Sequence, residues 1–202
     1  MNKYEKQSAK AYDKKAKEYD NTWDGRMTLQ FRSKILEMIS VKSGDKVLDM
    51  GCGNGSLIKS IKQLADINAC GIDISPEMIN ECKQRYSDIT FSLSSGEKLD
   101  FDDNTFDMIV TSCVLHHLDQ PRNFFAEAHR ILKPNGKLVV ADIYFNAFLR
   151  PFFNYVFSPL YRAGDNKLIG HKKLKRFYLE NGFAIKETFK KGVKQIVVGE
   201  KN

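Results

Sequence analysis

Val47-Leu48-Asp49-Met50-Gly51-Cys52-Gly53-Asn54-Gly55-Ser56-Leu57 changes character twice within a few residues. An apolar run ends on an aspartate, passes through three alternating glycines and resumes as an amphipathic pattern, so a strand turns directly into a helix. Glycines leave backbone N–H groups at the helix start open to a ligand, where a Cβ would screen them. Such a turn holds the polar part of a nucleotide-like ligand at the carboxyl end of a strand. The spacing is Gly-x-Gly-x-Gly with Ser56 next, which departs from the Gly-x-Gly-x-x-Gly dinucleotide fingerprint.

Downstream, Ala69-Cys70-Gly71-Ile72-Asp73 reads as a second strand, ending on an acid 24 positions after Asp49. In a doubly wound sheet the end of that strand lies beside the glycine turn, where a carboxylate can accept both hydroxyls of a ribose. Ser75-Pro76-Glu77 opens the next helix, and Ile74 and Met78 lie where an adenine ring could pack. Further strands are expected over 89–93, 106–111 and 137–143, alternating with helices over 56–64 and 121–132. Lys133-Pro134-Asn135-Gly136 is expected as a turn. The alternation implies a parallel sheet with right-handed crossovers. The segments 183–189 and 193–200 are joined by Lys190-Lys191-Gly192, too short for a parallel crossover, so one of them runs antiparallel. The expected fold is α/β: a Rossmann-like, doubly wound seven-stranded sheet, mostly parallel, with a C-terminal antiparallel hairpin.

The flanks differ from this middle. Residues 3–20 read as one or two short helices over the body, with Tyr12 and Tyr19 on one helical face, and 29–39 as an amphipathic helix, giving a helical cover over 1–40. Residues 144–161 carry eight aromatics at partly helical spacing, with Pro151 starting or kinking the helix, and Lys172-Lys173-Leu174-Lys175-Arg176 follows. The segment 144–182 is expected to be an aromatic and basic insert of the kind that serves as a substrate cover. It suits an apolar acceptor pocket, and 144–176 also suits peripheral contact with an anionic membrane.

A chain of 202 residues that is 42% hydrophobic and 28% charged is expected to form one domain over 1–202. Without an apolar leader or span it is expected in the cytoplasm. Four scattered cysteines suggest neither a zinc site nor a disulfide framework, and no metal is expected. The net charge of +7 arises at the ends: 1–34 holds nine basic and five acidic groups, 144–202 twelve and four, while 35–143 is acidic overall. Solvated terminal lysines explain it without nucleic acid as partner. His116 and His117, about 100° apart if helical, make a poor metal pair. His116 is a candidate general base on the substrate side.

Together these pieces resemble the class I S-adenosylmethionine-dependent methyltransferases, of the small-molecule subgroup that includes ubiquinone/menaquinone-type enzymes. The likeness covers 45–143 and the terminal hairpin. Besides the glycine turn it rests on Gly71-Ile72-Asp73-Ile74-Ser75, Glu97-Lys98-Leu99-Asp100-Phe101, Phe106-Asp107-Met108-Ile109-Val110, Leu115-His116-His117-Leu118 and 131–138. It implies S-adenosyl-L-methionine as cofactor and S-adenosyl-L-homocysteine as product. Gly51, Cys52 and Gly53 would face the methionine moiety, with Asp49 fixing the loop and Tyr19 approaching the methionine carboxylate. Asp73 would bind the ribose, Ser95, Gly96 and Glu97 would edge the adenine, and Thr111 would offer backbone groups to the methionine amine. Where the family commonly has an acid to accept from the adenine amino group, this chain has Ser95, a weaker neutral acceptor. Thr111-Ser112-Cys113-Val114 is not the Asn/Asp-Pro-Pro-Tyr/Phe element of enzymes that methylate amino groups on bases or glutamine. The expected reaction is C- or O-methylation of a small hydrophobic or aromatic acceptor. The alternatives are a non-catalytic S-adenosylmethionine-binding protein, an RNA or protein methyltransferase in keeping with the basic pI, and an oxidoreductase on a similar sheet.

Overall fold

The computed structural model describes residues 3–146, 148–157 and 167–202, the side chains of 156 and 157 excepted. Seven strands form one sheet in the order β3-β2-β1-β4-β5-β7-β6. They are β1 (Lys46–Met50), β2 (Asn68–Asp73), β3 (Thr90–Leu93), β4 (Phe106–Ser112), β5 (Leu132–Ile143), β6 (Phe183–Lys191) and β7 (Lys194–Lys201). Strands β1 to β5 are parallel, and β7 runs against both of its neighbours. This is the mostly parallel sheet with a terminal antiparallel hairpin that the segment lengths require.

One local expectation changes. The stretch 133–136 does not separate a helix from β5 but lies inside that strand. Leu132 already pairs with Phe106, the next pair is Lys137 with Met108, and Asn135 sits at φ +64°. The turn residues bulge out of the ladder, which resumes with its partner strand unchanged.

The helices are α1 (Lys3–Asp13), α2 (Trp23–Met38), α3 (Ser56–Lys62), α4 (Pro76–Arg85), α5 (Pro121–Ile131), α6 (Leu149–Phe152) and α7 (His171–Glu180). Side chains of β1 alternate between two cores. Val47 packs with Phe31, Ile35, Ile58 and Ile79 on one face; Leu48 and Met50 pack with Phe124, Phe125, Phe177 and Tyr178 on the other. Helix α2 begins at Trp23 because Thr22 caps it, its Oγ1 accepting the Gly25 N–H at 3.1 Å. Such a cap contributes about 1 kcal/mol. The aromatic run past residue 144 forms only the short α6 and a π-helical turn, Phe153–Phe157; Leu160 and Tyr161 lie outside the described residues. Among the described residues no helix is long and apolar enough to cross a membrane.

The strand order reverses between β1 and β4. Their carboxyl ends therefore diverge into a crevice, the place where open α/β sheets bind ligands.

Candidate active site

The floor of the crevice is the turn after β1. Gly51 N and Cys52 N both donate to Ile72 O, at 2.8 and 2.9 Å, stitching the turn to β2. Gly51 lies at φ +72°, and a Cβ there would fall 2.2 Å from Val114 Cγ2, so no larger residue fits. Gly53, at φ +52°, has the opposite surroundings: a Cβ there would meet only the Tyr19 ring, at 3.7 Å. Its Cα is open to the cavity, while its N–H donates to Asp73 and its carbonyl accepts from Cys82 Sγ at 3.1 Å.

Two carboxylates flank this opening. Asp73 Oδ2 accepts from Gly53 N and Oδ1 from Ser75 N, both at 2.9 Å, which fixes the plane of the group. Burial raises its pKa, and the backbone N–H groups of Ser75, Gly53 and Ile74 work against that rise. Asp49 is fully buried, and its Oδ2 has no hydrogen-bond partner among the described residues. Burial first, then the charge of Asp73, push its pKa up to about 8, opposed by a backbone hydrogen bond from Ile58. A buried carboxylate oxygen without a partner is suited to a cationic donor.

The N-terminal segment forms the roof. Tyr12 and Tyr19 do not share a helix; α1 ends at Asp13, the chain turns, and Tyr19 stands on a separate 3-10 helix, Ala16–Asn21. The turn nevertheless brings the two rings to 6.1 Å. Thr28 Oγ1 donates to Asp24 O at 2.6 Å, so the Tyr19 hydroxyl donates to Thr28, at 3.0 Å. Burial drives the Tyr19 pKa well above its ordinary range. Asn54 in the glycine turn donates to Asp20 at 2.7 Å, and Ser75 Oγ donates to Asp13 at 2.5 Å. Ser8 and Tyr12 hold the two ring nitrogens of His117, at 3.3 and 3.2 Å, and Ser95 Oγ donates to the carboxylate of Glu5.

A cavity between floor and roof is lined by Tyr19, Asp49, Gly51, Cys52, Gly53, Asp73, Ile74, Met78 and Gly96. Three of the residues singled out from sequence are not on its wall. Ser95 is turned toward Glu5 and accepts from Glu97 N at 3.2 Å. Glu97 Oε1 accepts from Asp119 N and Gln120 N, at 2.6 and 3.0 Å, and so holds the entry to α5. Thr111 is buried in β4, and its neighbours Ser112 and Cys113 reach the cavity instead. Glu5, Ser8, Thr28 and His117 also line it, contacts across the chain that no local pattern announces.

A second cavity, of about 660 Å³, adjoins the first; Tyr12, Tyr19 and Cys113 line both. Cys113 adopts φ +59°, uncommon for a residue with a side chain and costing about 1 kcal/mol or more at this junction. The second wall is apolar, with Met27, Ile143, Phe145, Phe153 and Leu168, and its rim is exposed at Trp23 (57%), Leu149 (47%) and Phe152 (63%). Its buried polar member is His116. Asp142, at the end of β5, binds it twice: Oδ1 lies 2.6 Å from His116 Nδ1, and Oδ2 accepts the His116 backbone N–H at 3.1 Å. A carboxylate on Nδ1 favours the tautomer protonated there and fixes the ring. Asp142 was not singled out from sequence. Its signal was available: like β1 and β2, β5 is an apolar run carrying an aspartate at its carboxyl end.

A doubly wound sheet of this order, with a glycine turn closing β1 and an acid closing β2, is the framework of the class I methyltransferases. Residues 48–140 match the family described as Methyltransferase domain. Among curated relatives, the demethylmenaquinone methyltransferase of Tropheryma whipplei is 34% identical over 155 residues, covering 71% of this chain and 62% of the relative. That of Renibacterium salmoninarum is 32% identical over 137 residues, covering 66% and 57%. The chain thus spans about 60% of the length of these relatives. The fold also matches a chain of the Haloferax volcanii complex between the Trm112 methyltransferase activator and a methyltransferase, with TM-score 0.81 at 19% identity over 96% of both chains.

Proposed function

We propose that the chain transfers the methyl group of S-adenosylmethionine to a carbon or oxygen atom of a small hydrophobic ring, at the junction of the two cavities. The observation that carries this reading is the junction itself: a polar, glycine-floored chamber and an apolar chamber share Tyr12, Tyr19 and Cys113. The polar chamber suits S-adenosylmethionine group by group. Asp73 stands where ribose hydroxyls would be accepted, Ile74 and Met78 flank the adenine, and Asp49 Oδ2, in the cavity whose floor the bare Cα of Gly53 keeps open, suits the amino-acid end. When bound, S-adenosylmethionine supplies a methyl group already activated by its sulfonium charge.

The chain's own part is to align the acceptor and keep water out, which the roof over 3–21 favours. His116, oriented by Asp142, is the group that takes a proton in the apolar chamber. As the acceptor takes up the methyl group, its proton would pass to the His116 imidazole. Relatives named demethylmenaquinone methyltransferases make quinol-type rings the first acceptors to try. The exposed rim, with Arg150 in α6 and Lys167 over the Tyr155 ring at 5.8 Å, suits an acceptor drawn from an anionic lipid surface.

The test is transfer of labelled methyl from S-adenosylmethionine to a panel of demethylated quinols, simple phenols and tRNA. Label in the quinols or phenols is the expected result. Label in tRNA alone overturns the acceptor class, and tight S-adenosylhomocysteine binding with no labelled product makes the chain a non-catalytic binder.

A further inference from the structure

We infer that Asp24, at the start of α2, selects the acceptor: its unbonded carboxylate oxygen takes a hydroxyl remote from the methylated atom, so the apolar chamber favours rings that carry a second hydroxyl. This deepens the proposed methyl transfer and rests on the apolar chamber being the acceptor site.

Asp24 is out of character in its wall. Its neighbours there include Trp23, Met27, Phe145 and Phe153, yet its side chain lines the same cavity and is only 13% exposed. The local sequence accounts for the acid but not for its burial. Thr22 caps α2, which puts Asp24 in the first helical turn, where a carboxylate favours the helix dipole. A solvated carboxylate would serve that purpose as well. Burial is costly unless the charge is paired, and Lys15 pairs with it: Lys15 Nζ binds Asp24 Oδ2 and lies 5.1 Å from the centre of the Tyr12 ring. The other oxygen, Oδ1, has no hydrogen-bond partner among the described residues.

The position suits a second point of attachment. Thr28 Oγ1 links the Tyr19 hydroxyl to the Asp24 carbonyl, so Asp24 stands beside a residue of the junction. Cys113, also at the junction, feels both carboxylates of the chamber. Burial and then the charge of Asp142 raise its thiol pKa, Ser112 opposes them, and the charge of Asp24 adds to the rise. Asp142 orients His116 from β5, whereas Asp24 comes from α2, so a ring at the junction meets one polar group from each element. Two attachments fix the plane of a flat ring before the methyl group, which a single one cannot do. The donor that fits Oδ1 is a hydroxyl. Lys15 already pairs with the carboxylate, so an ammonium would bring a second cation into a largely apolar wall, while a hydroxyl satisfies the oxygen without added charge.

The probes are naphthohydroquinone, kept reduced with dithionite, and the naphthol that lacks one of its hydroxyls. Affinity is measured by calorimetry with S-adenosylhomocysteine present, and kcat/KM by transfer of labelled methyl. The wild type is expected to favour the diol by about tenfold or more in both. Asp24→Leu should bring the two ratios close to one, and Asp24→Asn, which keeps a neutral acceptor, should keep part of the preference. Asp24→Asn preserves the shape of the side chain, so a reduced ratio with the naphthol still bound is not a failure to fold. Equal loss of both compounds in the variants would reduce Asp24 to a brace between α2 and Lys15. A wild type without preference, or a preference that both substitutions leave unchanged, would remove Asp24 from recognition; each of these results overturns the inference. A wild type that binds neither ring would instead overturn the reading of the apolar chamber as the acceptor site, and the inference with it.

Discussion

The two chambers that meet at Tyr12, Tyr19 and Cys113 are built by opposite means. The polar one has backbone and the carboxylates of Asp49 and Asp73 in its wall, and hydrogen bonds tie its surroundings to distant parts of the chain: Gly53 to Asp73, Asn54 to Asp20, Ser75 to Asp13. The apolar one is walled mainly by apolar side chains, and its hydrogen-bonded members include His116 bound to Asp142, Tyr19 to Thr28 and Asp24 to Lys15. Its rim lies open to solvent at Trp23, Leu149 and Phe152. A chamber fixed by directional bonds suits one ligand, whereas a chamber shaped by packing adapts when a few residues change. In the proposed reading the cofactor belongs to the first and the choice of acceptor to the second.

The sharpest way to break this division is to remove the polar pair from the apolar chamber. His116→Ala should lower kcat by about 10²–10⁴-fold, with S-adenosylhomocysteine affinity unchanged. Asp142→Asn should act in the same direction but less severely, because the imidazole remains while its orienting charge is lost. If either variant loses cofactor affinity instead, the chambers are not separable and the dyad is holding the floor. The reciprocal change is Asp73→Ala. It removes the acceptor for Gly53 N and Ser75 N as well as the ribose partner, and calorimetry should show S-adenosylhomocysteine affinity falling on the order of a hundredfold. An affinity within twofold of wild type would mean that the glycine floor serves another ligand.

The same contrast explains what could be read from the sequence. The floor was legible because its parts are local: three glycines, an acid before them, and a second acid closing the next strand. Each follows from the backbone conformation of a single turn. The roof and the pairing within the dyad were not, because Glu5 meets Ser95 and His116 meets Asp142 only after the chain has folded. Thr111 illustrates the limit within one strand. Its position at the end of β4 was legible, with a role expected for its backbone alone, but the positive φ of Cys113 just beyond it was not, and Ser112 and Cys113 are the residues on the chamber wall. The start of α2 was missed for a different reason. Trp23-Asp24-Gly25 has no apolar periodicity, and the Thr22 cap starts the helix.

A smaller effect comes from the floor itself. Asp49 holds its proton to about pH 8 in the folded chain, and an unfolded aspartate releases it near pH 4. Between these values the native state binds more protons than the unfolded state, so this group's contribution to stability is full below about pH 4 and is lost as pH rises to about 8. His129 and His171, whose pKa values burial lowers, act oppositely, but their effect is complete by about pH 6.5. Thermal melts without ligand should therefore show Tm falling between pH 6.5 and 8, and Asp49→Asn should flatten that slope. A slope that survives the substitution would assign the proton to another group and leave the floor without its buried acid.

The smallest effect is expected at the rim, where the comparison with the polar chamber becomes one of access. Phe148 is 89% exposed and is not on the wall of either cavity, so changing it leaves both chambers as they are. It sits at the start of α6 beside Leu149 and Phe152, with Arg150 on the same short helix. If the acceptor arrives from an anionic lipid surface, Phe148→Glu opposes that approach twice, by removing an apolar contact and by adding like charge. Sedimentation with vesicles rich in phosphatidylglycerol should show binding weakened several-fold, with little binding of either protein to phosphatidylcholine vesicles. The KM for a quinol presented in those vesicles should rise by a similar factor, while that for a short-chain, water-soluble analogue should not move. Equal KM changes for both acceptors would mean that Phe148 shapes the chamber after all, and unchanged vesicle binding would mean that the exposed rim takes no part in delivering the acceptor.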